Sequence, residues 1–287
     1  MFVKRVQLFV TCLADLMHPQ AAIAAVHVLE RRHVSVEFPE YQTCCGQFSY
    51  NAGYHHEAAI LAKHFLTVFE ASSHGESPDI VSLSGSCAAM VIQTYPQLLY
   101  EDALAQGESE DVAEHWKQRA VQLGERLHEW SMWLNQHCPS EPATTPKIPV
   151  AYHLGCHMRR LLPGAQDAAH MLGHYGIEAL EPDDAEQCCG FGGTYSVTEP
   201  VISTTLADEK MATHRPITGE HGGPVLDQCG SRMSSPSERP PHPTRLTISR
   251  VPCGGIGGFG GSKASVRGTD SGGRTEGRPI NGGTTPL

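Results

Sequence analysis

The sequence predicts an α/β fold built twice: two tandem repeats of parallel-sheet βαβ units, the second incomplete, followed by a disordered C-terminal tail. Three observations predict it. Cys12 is separated by 31 residues from Cys44-Cys45-Gly46, and Cys156 by 31 from Cys188-Cys189-Gly190, so all matched positions are offset by 144. A fixed offset of this kind marks two copies of one structural unit. Apolar, β-branched segments alternate with segments of helical spacing, the signature of a parallel sheet with crossover helices. The last 75 residues hold 16 of the 29 glycines and 9 of the 20 prolines, a composition that cannot build a core.

The first repeat, residues 1–108, opens with a strand over Lys4 to Val10. Pro19 to Arg32 has Ile23, Val26 and Leu29 at helical spacing and a proline at its start. Val34 to Phe38 reads as a short strand. Tyr54 to Ala71 reads as a helix with Ile60, Leu61, Phe65, Val68 and Phe69 on one face. Asp79 to Leu83 is a third strand, running into Ser84-Gly85-Ser86-Cys87. Residues 109–147 connect the repeats, with a long helical pattern over Glu110 to Gln136 and a Pro/Thr-rich linker from Cys138 to Pro146. The second repeat, 148–212, offers a strand Ile148 to His153, a helix Gln166 to Tyr175, a strand Ile177 to Leu180 and a helix from Pro200 to Ala212. From Thr213 the text changes: the tail is net +4 whereas the preceding 212 residues are net −14. The change is abrupt, falls inside a helical pattern and removes the third strand that the second repeat needs. It predicts a tail, 213–287, that is out of frame or a natural disordered extension.

The net charge of −10, with no basic block, argues against nucleic acid or an anionic membrane as partner. No transmembrane segment is predicted, since no apolar run approaches the roughly 20 residues that a membrane helix needs. The start, Met1 to Ala14, has a short apolar run interrupted by Gln7 and followed by Asp15. An equivalent segment precedes Cys156 in mid-chain, so both are read as strands rather than as a signal peptide. The expected location is cytoplasmic, a reducing compartment in which metal or redox roles outweigh structural disulfides.

Four thiols are available in the first repeat: Cys12, Cys44, Cys45 and Cys87. Cys12 and Cys87 each follow a predicted parallel strand, where α/β sheets gather their functional loops. Gly46 lets the backbone turn tightly round a bulky centre. Structural zinc sites pair cysteines two to four residues apart, whereas adjacent cysteines reach different atoms of a larger cluster. Spacing therefore favours an iron–sulfur cluster, with zinc as the alternative and a strained vicinal disulfide as a third option. The second repeat offers Cys156, Cys188 and Cys189 as a more doubtful second site. Ser231 stands at the position matching Cys87, with Cys229 nearby in a weak strand, Val225 to Gln228; it reads more readily as a bystander than as a ligand. Cys138 and Cys253 read as bystanders.

Cys12, Cys44-Cys45-Gly46 and Ser84-Gly85-Ser86-Cys87-Ala88-Ala89-Met90, with His153 to His157 and Cys188 to Gly193 in the second half, resemble the duplicated cysteine-rich CCG-domain proteins. That family includes the B subunit of heterodisulfide reductase, the iron–sulfur subunit of glycolate oxidase and a lactate-utilisation branch, which this chain resembles most from Lys4 to Ala212. The resemblance implies an iron–sulfur electron-transfer subunit of a lactate (2-hydroxy acid) oxidation complex rather than a self-sufficient catalyst. It implies a ferredoxin-like iron–sulfur protein and a third subunit as partners, and a [4Fe–4S] cluster on Cys12, Cys44, Cys45 and Cys87. Met90 stands where a fuller motif has a further cysteine, which weighs against a five-thiolate centre. Two other readings stay open: a zinc-binding scaffold module, and a heterodisulfide-reductase-like thiol–disulfide subunit.

Of the 17 histidines, His55 and His56 read as surface or packing residues. His153 and His157 flank Cys156 and are placed to tune its thiolate through hydrogen bonds. Gly190-Phe191-Gly192-Gly193 lacks the strand–loop–helix context of a nucleotide loop. Trp116, Trp130 and Trp133 read as helix packing.

Overall fold

A computed structural model describes residues 4–71, 77–138, 148–182, 184–218 and 225–227. The order in the first repeat is β1 (Arg5–Phe9), α1 (Cys12–Met17), α2 (Pro19–Arg31), β2 (Ser35–Glu37), α3 (Gln47–Asn51), α4 (His55–Glu70), β3 (Asp79–Ser82) and α5 (Gly85–Ala89). A π-helical turn (Met90–Thr94) leads into α6 (Tyr95–Ala105), then α7 (Glu110–Gly124), β4 (Leu127–Glu129) and α8 (Trp130–His137). The second repeat runs β5 (Ile148–His153), α9 (Cys156–Leu161), α10 (Asp167–His174), β6 (Ile177–Leu180), α11 (Tyr195–Thr198), α12 (Pro200–Thr218) and β7 (Val225–Asp227).

Both sheets are parallel. The first has the order β2-β1-β3-β4 and the second β6-β5-β7. In each, the first strand of the repeat is flanked by the two that follow it. The crossovers leave β1 in opposite directions, so the carboxyl ends of β1 and β3 frame a topological switch point, the crevice where open α/β sheets place their ligands. Cys12 follows β1 and Cys87 follows β3 at that crevice.

Strand alternation divides the first sheet's side chains between two cores. Val6, Leu8 and Val10 pack with Leu29 of α2 and Trp133 of α8. Phe9 packs on the opposite face against Phe65 and Phe69 of α4, with ring centroids 4.9 and 5.7 Å away. α4 earns its place by spacing: Ala58, Ala59, Ala62, Phe65, Leu66 and Phe69 form one buried stripe. The same core continues through Ala88 and Ala89 of α5 to Tyr152, Leu154 and Met158 of the second repeat. The repeats therefore share a continuous apolar contact, with α5 packed on α9.

Three expectations are corrected. The single long helix expected over Glu110 to Gln136 is two helices with β4 between them, and β4 pairs with β3 to complete the first sheet. Arg126 makes that interruption, donating to the carbonyls of Pro78 and Phe69 and to Gln7. The third strand that the change of text was expected to remove is present as β7, on the segment read as a weak strand from Val225 to Gln228, in register with Ala151 to His153 of β5. The helix expected to end at Ala212 runs on to Thr218. The second sheet still has one strand fewer than the first among the described residues. The linker 139–147, Cys229, Cys253 and the tail from residue 228 lie outside the described residues.

Candidate functional site

Three loops bring the first-repeat thiols together. The first leaves β1 through Thr11, whose φ of +70° is rare for a residue with a side chain. That turn starts α1 at Cys12, with the Asp15 amide donating to the Thr11 carbonyl at 3.0 Å. The second loop carries Cys44 and Cys45. Gln42 pins it to the end of β1, accepting from the Val10 amide at 2.9 Å and donating to the Leu8 carbonyl at 3.0 Å. Tyr95, fully buried, donates to the Cys45 carbonyl at 2.8 Å. The third loop is capped by Ser84, whose hydroxyl accepts from the Cys87 amide at 3.4 Å. Gln47 ties the second loop to the third through the Ser86 carbonyl, 3.0 Å away.

The thiols form a connected series. Cys12 Sγ lies 3.5 Å from Cys44 Sγ, and the Gly46 amide donates to Cys44 Sγ at 3.4 Å. Cys45, 2% exposed, donates to Cys44 and is in turn linked to Cys87. The donated hydrogen bonds of Cys12 and Cys45 hold the Cys44 thiol far below its ordinary pKa, against the effect of burial. Cys12 and Cys45 move the opposite way, each raised first by its bond to Cys44. Gly46 has φ +81°, and a Cβ there would lie 3.2 Å from the Ala58 carbonyl oxygen of α4. The left-handed φ there disfavours any residue with a side chain.

The second repeat reproduces this turn. The Gly190 amide donates to Cys188 Sγ at 3.4 Å, and Gly190 has φ +77°. A Cβ there would lie 2.2 Å from the Ser203 carbonyl oxygen of α12. The pairing differs, however. Cys156, at the start of α9, bonds to Cys189, which with burial raises its pKa, whereas Cys188 is exposed. In the first repeat the matching partner of Cys12 is the first cysteine of the pair. The two sites are neighbours: a Cβ on Gly85, two residues before Cys87, would meet Met158, two residues after Cys156. Phe48 and Phe191, which follow the two Cys-Cys-Gly turns, make an edge-to-face contact at 6.2 Å.

Cys138 sits away from both sites, at the end of α8 against the core around Trp133. Met90 is 2% exposed and belongs to the core. His153 is buried on β5, and burial followed by Arg160 lowers the pKa of half-buried His157. His55 stacks on Tyr50 at 4.8 Å, and His56 bonds to Asp102 at 2.6 Å. Trp133 donates to Asp79, while Trp116 faces Lys63 and Arg119. Thr11, Gln42, Tyr95 and Lys210 are site residues that motif reading passes over, since none belongs to a cysteine pattern. The signal that was available is their place: one residue before Cys12, two before Cys44, and buried in the helices that follow each turn.

Residues 6–92 and 150–223 match the cysteine-rich CCG domain. The chain belongs to the CCG cysteine-rich domain family. Among CCG-domain relatives, lactate utilization protein A of Halalkalibacterium halodurans is 38% identical over 234 residues, covering 80% of this chain and 87% of the relative. The protein of that name from Bacillus pumilus is 40% identical over 210 residues, 72% of this chain and 81% of the relative. That of Anoxybacillus flavithermus is 39% identical over 232 residues, 80% and 89%. The two matched segments place one CCG unit on each sheet, and the second ends at residue 223.

A thiol-only donor set, half-buried at the ends of β1 and β3, fits a soft-metal or iron–sulfur group. Among the described residues no three or more His, Cys, Asp and Glu side chains close on one point as a ready-made single-ion site. Instead each thiol of the first repeat touches the next in a chain. Among the described residues no helix is long and apolar enough to cross a membrane.

Proposed function

We propose that this chain is an iron–sulfur electron-transfer subunit of a lactate (2-hydroxy acid) oxidation system, working in the cytoplasm. The observation that carries the reading is the meeting of Cys12, Cys44, Cys45 and Cys87, from three loops up to 75 residues apart, at the switch point of a parallel sheet. The names of the relatives supply the lactate-utilization context. Cys12, Cys44, Cys45 and Cys87 would hold a [4Fe–4S] cluster, and Cys156, Cys188 and Cys189 a second centre. Such a cluster supplies one-electron chemistry whose potential is set by its ligands, hydrogen bonds and burial.

The protein's own contribution is to preorganise those ligands. Gln42, Tyr95 and Gln47 fix the Cys44–Cys45 loop before any metal arrives. Burial of Cys45 beside Phe9 and α4 keeps water from one side of the site. Its partners in this reading are a ferredoxin-like iron–sulfur protein and a third subunit of the system. Anaerobic purification with iron and acid-labile sulfide counted per chain tests it. Brown protein is expected, with about four of each at the first site; that share is lost in Cys45→Ala and retained in Cys138→Ala. Colourless protein carrying zinc and no sulfide would refute it.

A further inference from the structure

Three buried polar atoms of the first sheet have no partner among the described residues: Arg5 Nη1, Gln7 Nε2 and Glu37 Oε2. They are neighbours by register. Gln7 pairs with Glu37 across β1 and β2, and Arg5 precedes Gln7 by two positions on β1. All three side chains therefore leave the sheet on one face. Phe9 stands on that face too, packed against α4. Gln7 is 0% exposed, and its Oε1 accepts from Arg126 at 3.1 Å, which turns Nε2 to the other side of the amide. Buried polar groups are almost always hydrogen-bonded, and an orphaned carboxylate oxygen is among the costliest exceptions.

A cavity of about 360 Å³ opens at Glu37, between the edge strand β2 and the last turns of α4. Its size is within the range of small-molecule sites. Pro39, Val68 and Ala71 give it an aliphatic wall, and Glu40 adds a second carboxylate. Tyr41, 78% exposed, stands at its mouth. His64 also lines it, but its Nε2 is taken by the Tyr41 carbonyl at 2.8 Å. Among the described residues no lysine or arginine lines the cavity. Two carboxylates without a cation beside them favour an ammonium group. The unpartnered donors next to Glu37, Gln7 Nε2 and Arg5 Nη1, suit a carboxylate. Water can bond such atoms, but an aliphatic wall favours a ligand with an apolar body.

We propose that this cavity binds a free α-amino acid with a branched aliphatic side chain. The ammonium meets Glu37, the carboxylate meets Gln7 and Arg5, and the side chain lies against Pro39, Val68 and Ala71. No thiol lines the cavity, so the assignment does not rest on the iron–sulfur reading. It does touch the same loop: Pro39 to Tyr41 lead into Cys44 and Cys45, and Gln42 Nε2 donates to the Pro39 carbonyl at 3.1 Å. An occupant braces the start of that loop.

The test is isothermal titration calorimetry of the full-length chain with leucine and two analogues. 2-Hydroxyisocaproate replaces the ammonium by a hydroxyl, and leucine amide removes the carboxylate charge. Leucine should give saturable one-site binding, and each analogue should bind about tenfold more weakly or worse. Glu37→Gln, with unchanged circular dichroism, should weaken leucine by a similar factor, and Glu40→Gln should do so less. In wild type, a diazirine-bearing leucine should cross-link, by mass spectrometry, to Pro39–Tyr41 or Val68–Ala71. No heat from leucine at millimolar concentration overturns the proposal, as does 2-hydroxyisocaproate binding as tightly as leucine. Cross-links confined to other segments overturn it even if Glu37→Gln does not fold, and so does a folded Glu37→Gln that binds leucine like wild type.

Discussion

Alanine at the glycine of each Cys-Cys-Gly turn should cost the two repeats unequally, and the geometry sets the order. Gly46 and Gly190 both have φ near +80°, at +81° and +77°. Placing an L side chain there costs about 1–2 kcal/mol in either repeat. The surroundings then diverge. At Gly46 the new methyl would lie 3.2 Å from the Ala58 carbonyl oxygen and 3.4 Å from Leu61 Cβ, so a few tenths of an ångström of movement relieves it. At Gly190 it would lie 2.2 Å from the Ser203 carbonyl oxygen and 3.0 Å from Leu206 Cβ. A backbone carbonyl inside α12 cannot rotate away as a side-chain tip can. The turn and the helix must separate, which adds about 1–3 kcal/mol of overpacking. Gly46→Ala is therefore expected to lose about 1–2 kcal/mol, and Gly190→Ala about 2–5 kcal/mol. The larger loss is a sizeable share of the 5–15 kcal/mol that folded domains typically possess. Urea unfolding monitored by far-ultraviolet circular dichroism compares the two variants directly. A Gly190→Ala protein within about 0.5 kcal/mol of wild type, or a Gly46→Ala protein that loses more, would show that the turn does not press on α12 as described.

Two carboxylates make opposite predictions for pH. Burial pushes Asp102 up, but His56 at 2.6 Å and Lys63 at 2.9 Å outweigh it and hold its pKa below the usual carboxylate value. That stabilisation is present above the ordinary carboxyl pKa and is lost as pH falls through the depressed one; Asp102→Asn should cost about 2–4 kcal/mol at pH 7, the deficit closing in acid unfolding curves below about pH 4. Glu129 is 3% exposed, and burial outweighs its bonds from Ser131 and Met132 to raise it to about 6 from 4.5. Its sign is reversed: stability is fullest below the unfolded value and falls as pH rises through about 6. Glu129→Gln should therefore gain about 1–2 kcal/mol at pH 7 in urea titration, and no gain at pH 7 would contradict that reading.

The cysteine repeat was legible because a covalent spacing survives folding. The offset of 144 reappears as paired Cys–Gly hydrogen bonds, Gly46 to Cys44 and Gly190 to Cys188, both 3.4 Å. The strands Ile148–His153 and Ile177–Leu180 were also legible to the residue, being apolar runs bounded by turn residues. β4 was not, because Leu127, His128 and Glu129 continue the composition of the helices around them. What makes them a strand is a distant contact, the Arg126 guanidinium on Pro78 and Gln7, which no local window contains. β7 was legible only as a weak strand, Val225 to Gln228, since three residues among glycine and proline cannot declare a period. Lys210 was invisible for a related reason. A lysine in an amphipathic helix reads as solvent-facing, and only the packing of α12 on β5 encloses it.

These omissions share a cause that bears on function. A Cys-Cys-Gly turn exposes backbone groups and flexible thiols, and each repeat must hold it still by contacts from outside the motif. The first repeat does so with neutral groups: Gln42 on β1, the Tyr95 hydroxyl on the Cys45 carbonyl, and Gln47 on the Ser86 carbonyl. The second does so with an ammonium on the Asp184 and Ala185 carbonyls. Either solution fixes the loop, but only the second uses a full charge to do so. Duplication supplied two equivalent scaffolds, and the residues that immobilise the turns made them chemically unequal. A buried lysine in α12 carries a desolvation cost that the Phe65–Leu66 solution of α4 avoids, and its bonds to the two loop carbonyls offset that cost.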